Sequence, residues 1–323
     1  MGVMGMSDKG SDLSHGDQVV PMATLRLVFC DMDSTFLADD KSIPRDNAMA
    51  LDLLAERDVG FVPCTGRAWS AVPAEVLDHP AVRYVIAANG AIVRDVRSKR
   101  TLRATLIGAR RALALFERVR DISCTFDVFS KGASRANATR FGRIRDFGID
   151  APTVDWLLGR RVQLSLPTKG IINAYPDVEK ITMYFGDDDA RQRIIAAAEM
   201  DPSLCWTSSH PYNVEVMDGA ASKGAALSWL CRWLHVSLTD VVAFGDSPND
   251  LSMLEAAGDG VAMANASSEV KAVAKHVTRR DNGQGGVGEY LRERYFVFYV
   301  RPSWIRHHAA SSQYRGNGIG MPT

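Results

Sequence analysis

Short apolar runs alternate with amphipathic segments along most of this chain, and this alternation constrains its fold more than any other feature. LRLVFCD, VGFVPCTG, RYVIAANG, DVVAFGD and GVAMANA each have the length and composition of a buried strand, and helix-like segments separate them. A parallel strand that is buried on both faces is apolar along its length, and a helix connects it to the next strand. The sequence therefore predicts an α/β fold with a doubly wound, mostly parallel, Rossmann-like sheet.

The middle of the chain, from about Ala91 to Tyr212, has a different periodicity. EKITMYFG alternates like a half-exposed strand, whereas GARRALALFERVRD has the spacing of an amphipathic helix. We therefore expect a separate α+β unit over residues 91–212, inserted between two parts of the core at residues 23–90 and 213–295. Residues 1–22 and 296–323 are predicted to be tails, and the first of them to be disordered.

Composition and charge argue against several classes of protein. The 38 basic and 38 acidic residues give a net charge of zero, so the chain has no electrostatic signature for nucleic acid or for an anionic membrane. It contains no apolar run long enough for a transmembrane helix and no signal peptide. The five cysteines form no CxxC pair, which is typical of reduced thiols. We expect a cytoplasmic protein that binds neither nucleic acid nor a membrane.

Polar residues stand where the predicted strands end. Asp31, Thr65 and Asp246 each follow a strand, and Lys223 begins a helix. In an open parallel sheet, ligands bind beyond the carboxyl ends of the strands, so these groups are expected to converge. Clustered carboxylates, here joined by Asp33, need a cation to neutralise them, and oxygen ligands suit Mg²⁺. Because Mg²⁺ shares its remaining positions with phosphate oxygens, the constellation points to phosphoryl chemistry.

The polar motifs also carry a family resemblance. DMDST, TGR, SKG and GDSPND occur in this order and resemble the four motifs of the haloacid dehalogenase-like (HAD) phosphatases. GVAMANASSEVKAVAKHVTRRDNGQGGVGEYL is similar to the final segment of the Cof-type branch of subfamily IIB. A DxD pair alone is as readily a turn at a strand end, but the ordered set is specific. The resemblance spans about Leu25 to Leu291 and implies a HAD core with an inserted C2-type cap.

Two features of the first motif qualify the resemblance. Ser34 stands where subfamily IIB most often has glycine. DxDST is also the beginning of the phosphoserine phosphatases, which carry their cap between the first two motifs. Here the long insertion follows Thr65 instead, so the phosphoserine phosphatases are disfavoured.

The resemblance implies a role for each motif residue. Asp31 would be the nucleophile that forms an aspartyl phosphate, and Asp33 the general acid and base. The phosphate-binding residues would be Thr65, Gly66, Lys223 and Asn249. The Mg²⁺ ligands would be Asp31, the backbone carbonyl of Asp33, Asp246 and, through the outer shell or a water, Asp250.

Four further residues are candidates for substrate specificity: Arg67, Asn89, Arg135 and His210. Each also has a structural interpretation, because basic loop residues are commonly solvated, Asn-Gly is a turn signal, and a loop histidine is usually an ordinary surface group. The sequence does not decide between these interpretations.

The sequence as a whole predicts a Mg²⁺-dependent phosphatase of small phosphorylated metabolites, such as sugar phosphates or phosphorylated coenzymes. One alternative is a phosphomutase of the same subfamily, which would not release free phosphate. Another is a non-catalytic, phosphate-binding regulatory module. The intact set of motif residues argues against that module.

Overall fold

The computed structural model describes residues 25–295, which form two β-sheets and the helices that cover them. The strands are β1 (Leu27–Asp31), β2 (Gly60–Cys64), β3 (Tyr84–Ala87), β4 (Ile92–Asp95), β5 (Arg100–Ala104), β6 (Asp127–Ser130), β7 (Ala133–Asn137), β8 (Val162–Leu164), β9 (Lys180–Tyr184), β10 (Leu204–Thr207), β11 (Asn213–Asp218), β12 (Val241–Gly245), β13 (Asp259–Ala262) and β14 (His276–Val277). The helices are α1 (Arg45–Glu56), α2 (Ala74–Leu77), α3 (Gly108–Val119), α4 (Ala138–Gly142), α5 (Ala151–Gly159), α6 (Thr168–Ala174), α7 (Asp188–Glu199), α8 (Lys223–Leu234), α9 (Leu251–Ala256), α10 (Ser268–Val273) and α11 (Gly286–Tyr295).

The larger sheet forms the core and has the strand order β14-β13-β12-β1-β2-β3-β4-β5. β1 lies at its centre, parallel to β12 on one side and to β2 on the other. Both β1 and β12 are buried along their whole length, which is why their sequences are almost entirely apolar. α1 packs against α11, and α8 against α9. The predicted α/β fold with a mostly parallel core is confirmed.

The smaller sheet is mostly antiparallel, in the order β10-β11-β9-β6-β7-β8, and packs against its own helices over separate apolar clusters. It is the inserted α+β unit, and we call it the cap. The strand pairing places its ends differently from the predicted range of 91–212. β4 and β5 extend the core sheet as an antiparallel pair, while β11 belongs to the cap sheet. By strand pairing, the cap therefore begins after residue 104 and ends at residue 218.

The chain passes between the sheets twice, through residues 105–107 and residues 219–222. Arg111 of α3 joins the two passages, because its guanidinium donates hydrogen bonds to the carbonyl oxygen of Leu106 and to the carboxylate of Asp218, both at 2.6 Å. The amide of Thr105 donates to the carbonyl oxygen of Ala91 in the core at 2.8 Å. The two ends of the cap therefore lie side by side.

The predicted tails, residues 1–22 and 296–323, lie outside the described residues. Within residues 25–295, no helix is both long enough and apolar enough to cross a bilayer. All five cysteines fall in this range and are free, and four of them are buried. This agrees with the expectation of reduced thiols within the fold.

Candidate active site

The groups expected to converge do lie together at the carboxyl edge of the core sheet. Asp31 ends β1, while Thr65 and Asp246 follow the neighbouring strands β2 and β12. Lys223 is the first residue of α8, which begins there because the hydroxyl of Ser222 caps the helix by accepting from the amide of Ala225. The exposed fraction of the four predicted residues ranges from 0% for Lys223 to 9% for Asp246. This edge therefore holds a charged cluster almost out of contact with solvent.

Lys223 bridges two carboxylates within this cluster. Its ammonium lies 2.5 Å from Oδ1 of Asp31 and 2.5 Å from Oδ1 of Asp250. Burial alone would lower the pKa of Lys223, but the two carboxylates raise it well above its usual value. Burial also raises the pKa of Asp31, and Lys223 opposes that shift. Lys223 is therefore a permanent cation beside Asp31.

Asp31, Asp246 and Asp250 each offer a carboxylate oxygen, and these three oxygens lie within 4.8 Å of one another. The side chain of Asp246 accepts hydrogen bonds from the hydroxyls of Thr35 at 2.6 Å and Ser247 at 2.8 Å. Burial and the nearby Asp250 raise the pKa of Asp246 to about 6. One lysine does not neutralise three buried carboxylates, and a second cation with a preference for oxygen would. The donor set therefore fits Mg²⁺.

Asp250 is the most constrained member of the cluster. Besides binding Lys223 through Oδ1, it accepts through Oδ2 from the backbone amides of Asp246 and Ser247, at 3.0 and 3.1 Å. Both oxygens are therefore engaged by protein donors. This agrees with the outer-shell position that the family resemblance implies for Asp250.

Asp33 lies at the mouth of the cluster and is held by two cations. The guanidinium of Arg67 donates to both carboxylate oxygens, with 2.6 Å between Nε and Oδ2, and Lys41 lies 2.9 Å from Oδ1. Burial acts to raise the pKa of Asp33, but Arg67 and Lys41 outweigh it and lower the pKa to about 2. In this arrangement Asp33 is ionised. Arg67, a candidate for substrate specificity, contacts the predicted acid and base and also lines the cavity between the two sheets.

The loops around these residues need unusual backbone conformations. Ser34 has a φ of 58°, in the left-handed region that glycine enters readily. This is consistent with the glycine that the family resemblance leads us to expect at this position. Gly66 follows Thr65 and is packed so closely that a Cβ there would lie 2.8 Å from Oδ1 of Asn89. The hydroxyl of Thr65 accepts from the amide of Arg67 at 3.0 Å.

A buried polar network joins this edge of the core to the cap. Lys180 of β9 donates to Glu215 of β11 and to the carbonyl oxygen of Gly66, both at 2.6 Å. Glu215 also accepts from the side chain of Asn89 at 2.6 Å. The side-chain amide of Asn249 donates to Oδ1 of Asn89 at 3.2 Å, and its own oxygen, Oδ1, is buried without a partner among the described residues. Asn89, a candidate for substrate specificity, is thus a link between core and cap.

A cavity of about 780 Å³ lies between the two sheets and opens onto Asp31 and Asp33. Its wall on the cap side includes Phe129, Trp156, Arg160, Arg161, Lys180 and His210. Only His210 among these was singled out from the sequence. Burial lowers its pKa, so the ring is neutral at pH 7. The cavity is large enough for a small metabolite.

Arg135 does not line this cavity. Its guanidinium donates to the carbonyl oxygens of Ser130 and Ala133 in its own hairpin and lies 4.0 Å from the ring centroid of Tyr175. The basic residues that line the cavity on the cap side occur at other positions in the sequence than Arg135. They include the adjacent pair Arg160–Arg161 and Lys180, the one charged residue of a buried strand.

Fold and site together define a class of enzyme. A parallel α/β core with a carboxylate cluster at its carboxyl edge, covered by an inserted cap, is the arrangement of a hydrolase that handles phosphoryl groups. A model of the haloacid dehalogenase-like hydrolase family matches residues 28–291. The chain belongs to this family, and the resemblance of its motifs is confirmed.

Several known proteins with similar sequences are named as phosphatases. Phosphatase YwpJ of Bacillus subtilis is 29% identical over 284 residues, which cover 83% of this chain and 99% of the relative. Pyridoxal phosphate phosphatase YbhA of Escherichia coli is 30% identical over 278 residues, which cover 83% of this chain and 98% of the relative. This places the chain among the phosphoric monoester hydrolases.

A solved structure shows the same fold. The subclass IIB sugar phosphatase BT4131 superposes with a TM-score of 0.70 at 20% sequence identity, covering 83% of this chain and 98% of the other. At this identity the likeness concerns the fold alone. It agrees with a HAD core that carries an inserted cap.

Proposed function

We propose that this chain is a Mg²⁺-dependent phosphatase of small phosphorylated metabolites and that it works through an aspartyl-phosphate intermediate. The observation that carries the proposal is the position of Asp31. This carboxylate ends the central strand, lies 2.5 Å from the ammonium of Lys223, and lines the cavity of about 780 Å³ between core and cap. The relative named as a pyridoxal phosphate phosphatase supports small phosphorylated compounds as the substrate class.

In the first step an oxygen of Asp31 forms a bond to phosphorus, and the bond from phosphorus to the leaving alcohol breaks. Lys223 stays positively charged and lies where it can bind an oxygen of the phosphoryl group, together with Thr65 and Asn249. The unpartnered side-chain oxygen Oδ1 of Asn249 suits a protonated phosphate oxygen or a bound water. When bound by Asp31 and Asp246, Mg²⁺ would add charge stabilisation to the transferring phosphoryl group.

Asp33 supplies the proton that the leaving alcohol needs. It then accepts a proton from the water that attacks phosphorus and releases phosphate from Asp31. In the arrangement described here Asp33 is ionised and paired with Arg67 and Lys41. Uptake of a proton by Asp33 therefore requires that these two ion pairs weaken. Closure of the cap over a substrate would also exclude water during the first step.

The test is release of inorganic phosphate from p-nitrophenyl phosphate, pyridoxal phosphate and a set of sugar phosphates. Each compound is assayed with Mg²⁺, with EDTA, and with the variant Asp31→Asn. Release should require both Mg²⁺ and Asp31, and the matched variant Asp188→Asn, at an exposed position of α7, should behave like the native chain. Full activity of Asp31→Asn would contradict the mechanism. Lack of release from every compound would favour a mutase or a binding module.

A further inference from the structure

Among the cationic side chains that line the cavity, Arg160 differs from the others in having no carboxylate partner within residues 25–295. Arg161 pairs with Asp127 at 3.0 Å, Lys180 pairs with Glu215 at 2.6 Å, and Lys41 and Arg67 share Asp33. Arg160 forms no ion pair with any residue in the described part of the chain. Its guanidinium donates one long hydrogen bond, 3.4 Å, to the carbonyl oxygen of Ala71. The cavity therefore has a cation available for a ligand.

Arg160 is an exposed residue of the cavity wall, and an aromatic ring supports its guanidinium. Its guanidinium lies 4.9 Å from the ring centroid of Trp156, which supports it as an aromatic platform. The carbonyl oxygen of Ala71 that it contacts also accepts from Arg67, at 3.0 Å. Burial and the positive charges of Arg67 and Arg161 lower the pKa of Arg160 from its ordinary value, and the negative charge of Asp33 offsets this shift only in part. The surroundings of Arg160 thus contain an excess of positive charge.

The position of Arg160 relative to Asp31, Lys223 and Asp33 indicates which part of a substrate would contact this positive charge. The phosphoryl group belongs at Asp31 and Lys223, and Asp33 is the residue that would protonate the leaving oxygen. Arg160 lies beside Arg67, which binds Asp33, because both arginines donate to the carbonyl oxygen of Ala71. A group that reaches Arg160 is therefore part of the leaving alcohol.

We propose that Arg160, supported by Trp156, binds a second anionic group on the alcohol part of the substrate. The preferred substrates are then phosphate monoesters whose alcohol carries a carboxylate or a further phosphate. A guanidinium matches the geometry of either anion through paired hydrogen bonds. This inference rests on the proposed phosphatase function and narrows its substrate class.

The first test compares matched compounds that differ in the second anion. 6-Phosphogluconate is compared with glucose 6-phosphate to test a carboxylate, and fructose 1,6-bisphosphate with fructose 6-phosphate to test a phosphate. In at least one pair, the compound with the second anionic group should be preferred in kcat/KM by about tenfold or more, as expected for a charge-assisted hydrogen bond. The variant Arg160→Gln should bring that ratio close to one. Arg145→Gln, at an exposed arginine of the same part of the cap, should keep it.

A second readout does not depend on turnover. Calorimetry measures the binding of the same four compounds to the Asp31→Asn chain, with and without Arg160→Gln. Loss of the preference on removal of Arg160 supports the anion site, whereas equal ratios in both chains, or no preference in the chain with Arg160, overturn it. If no compound releases phosphate, the phosphatase proposal fails, and the binding comparison still decides whether Arg160 binds an anion.

Discussion

The ion pair between Lys180 and Glu215 offers a direct test of how core and cap are joined. Both side chains are almost fully buried, and each makes one further hydrogen bond across to the core, to Gly66 and Asn89 respectively. Substituting Lys180→Met removes the cation but leaves the carboxylate of Glu215 in the interior. The donor that remains for it is the amide of Asn89, which carries no charge.

The expected cost follows from that uncompensated charge. Removing one partner of a buried pair costs about 3–5 kcal/mol, whereas losing an exposed pair costs about 0–1 kcal/mol. Lys169→Met is the matched control, because Lys169 is half exposed and pairs with Glu117 on the surface. For a chain of this size the loss at Lys180 should lower the melting temperature by roughly 4–9 °C.

The assay is equilibrium unfolding in urea, followed by tryptophan fluorescence and by circular dichroism. The double variant Lys180→Met/Glu215→Gln removes both charges and keeps an acceptor for Asn89. It should be less destabilised than the sum of the two single variants, by about 1–3 kcal/mol. If the two substitutions are additive, or if Lys180→Met costs no more than Lys169→Met, the pair is not a buried electrostatic link and the reasoning is wrong.

Three further predictions concern other parts of the chain. Lys223→Met removes the cation that bridges the buried carboxylates of Asp31 and Asp250. The melting temperature of this variant should therefore be lower than that of the native chain in EDTA and should recover in part when Mg²⁺ is added. An equal rise with Mg²⁺ in the native chain would contradict this prediction. Gly90→Ala should lower the free energy of unfolding, measured in urea, by at least about 2 kcal/mol, because φ at this position is +93° and the new Cβ would lie 2.1 Å from the carbonyl oxygen of Ser222. An unchanged free energy of unfolding would contradict the packing described here. Burial raises the pKa of Cys231 to about 12, so iodoacetamide should label this thiol at pH 8 far more slowly in the native chain than in urea, as peptide mass spectrometry would show. In the unfolded chain the Cys231 thiol has a pKa of about 8.5, so between about pH 8.5 and 12 it loses its proton in the unfolded state but keeps it in the folded state. The contribution of Cys231 to the free energy of unfolding should therefore fall as the pH rises through this range.

The sequence predicts the core edge well because that edge depends on local signals. Asp31 and Asp246 each follow an apolar run, and parallel pairing then brings the ends of their strands together. A capped helix start, here at Ser222 before Lys223, is likewise readable from neighbouring residues. These positions need no knowledge of distant contacts.

The cap and its boundaries depend on distant pairing, which local patterns do not contain. β4 joins the core because it pairs antiparallel with β3, and β11 joins the cap because it pairs with β9. Either strand would have the same local pattern in the other sheet. Arg135 and Arg160 are equally basic in the sequence, and the fold alone turns the first into its own hairpin and the second towards the cavity.

The side-by-side passages between the sheets have a consequence for how such a chain can be altered. Because the cap leaves and rejoins the core at adjacent points tied by Arg111, its residues can be replaced as one cassette without changing the spacing of the core strands. A grafted cap would need to supply an arginine in its first helix and an acidic residue at the end of its last strand. It would also need counterparts of Lys180 and Glu215 at the junction with the core. These few positions would determine whether a transplanted cap can join the core, whereas the other cap residues that line the cavity could vary.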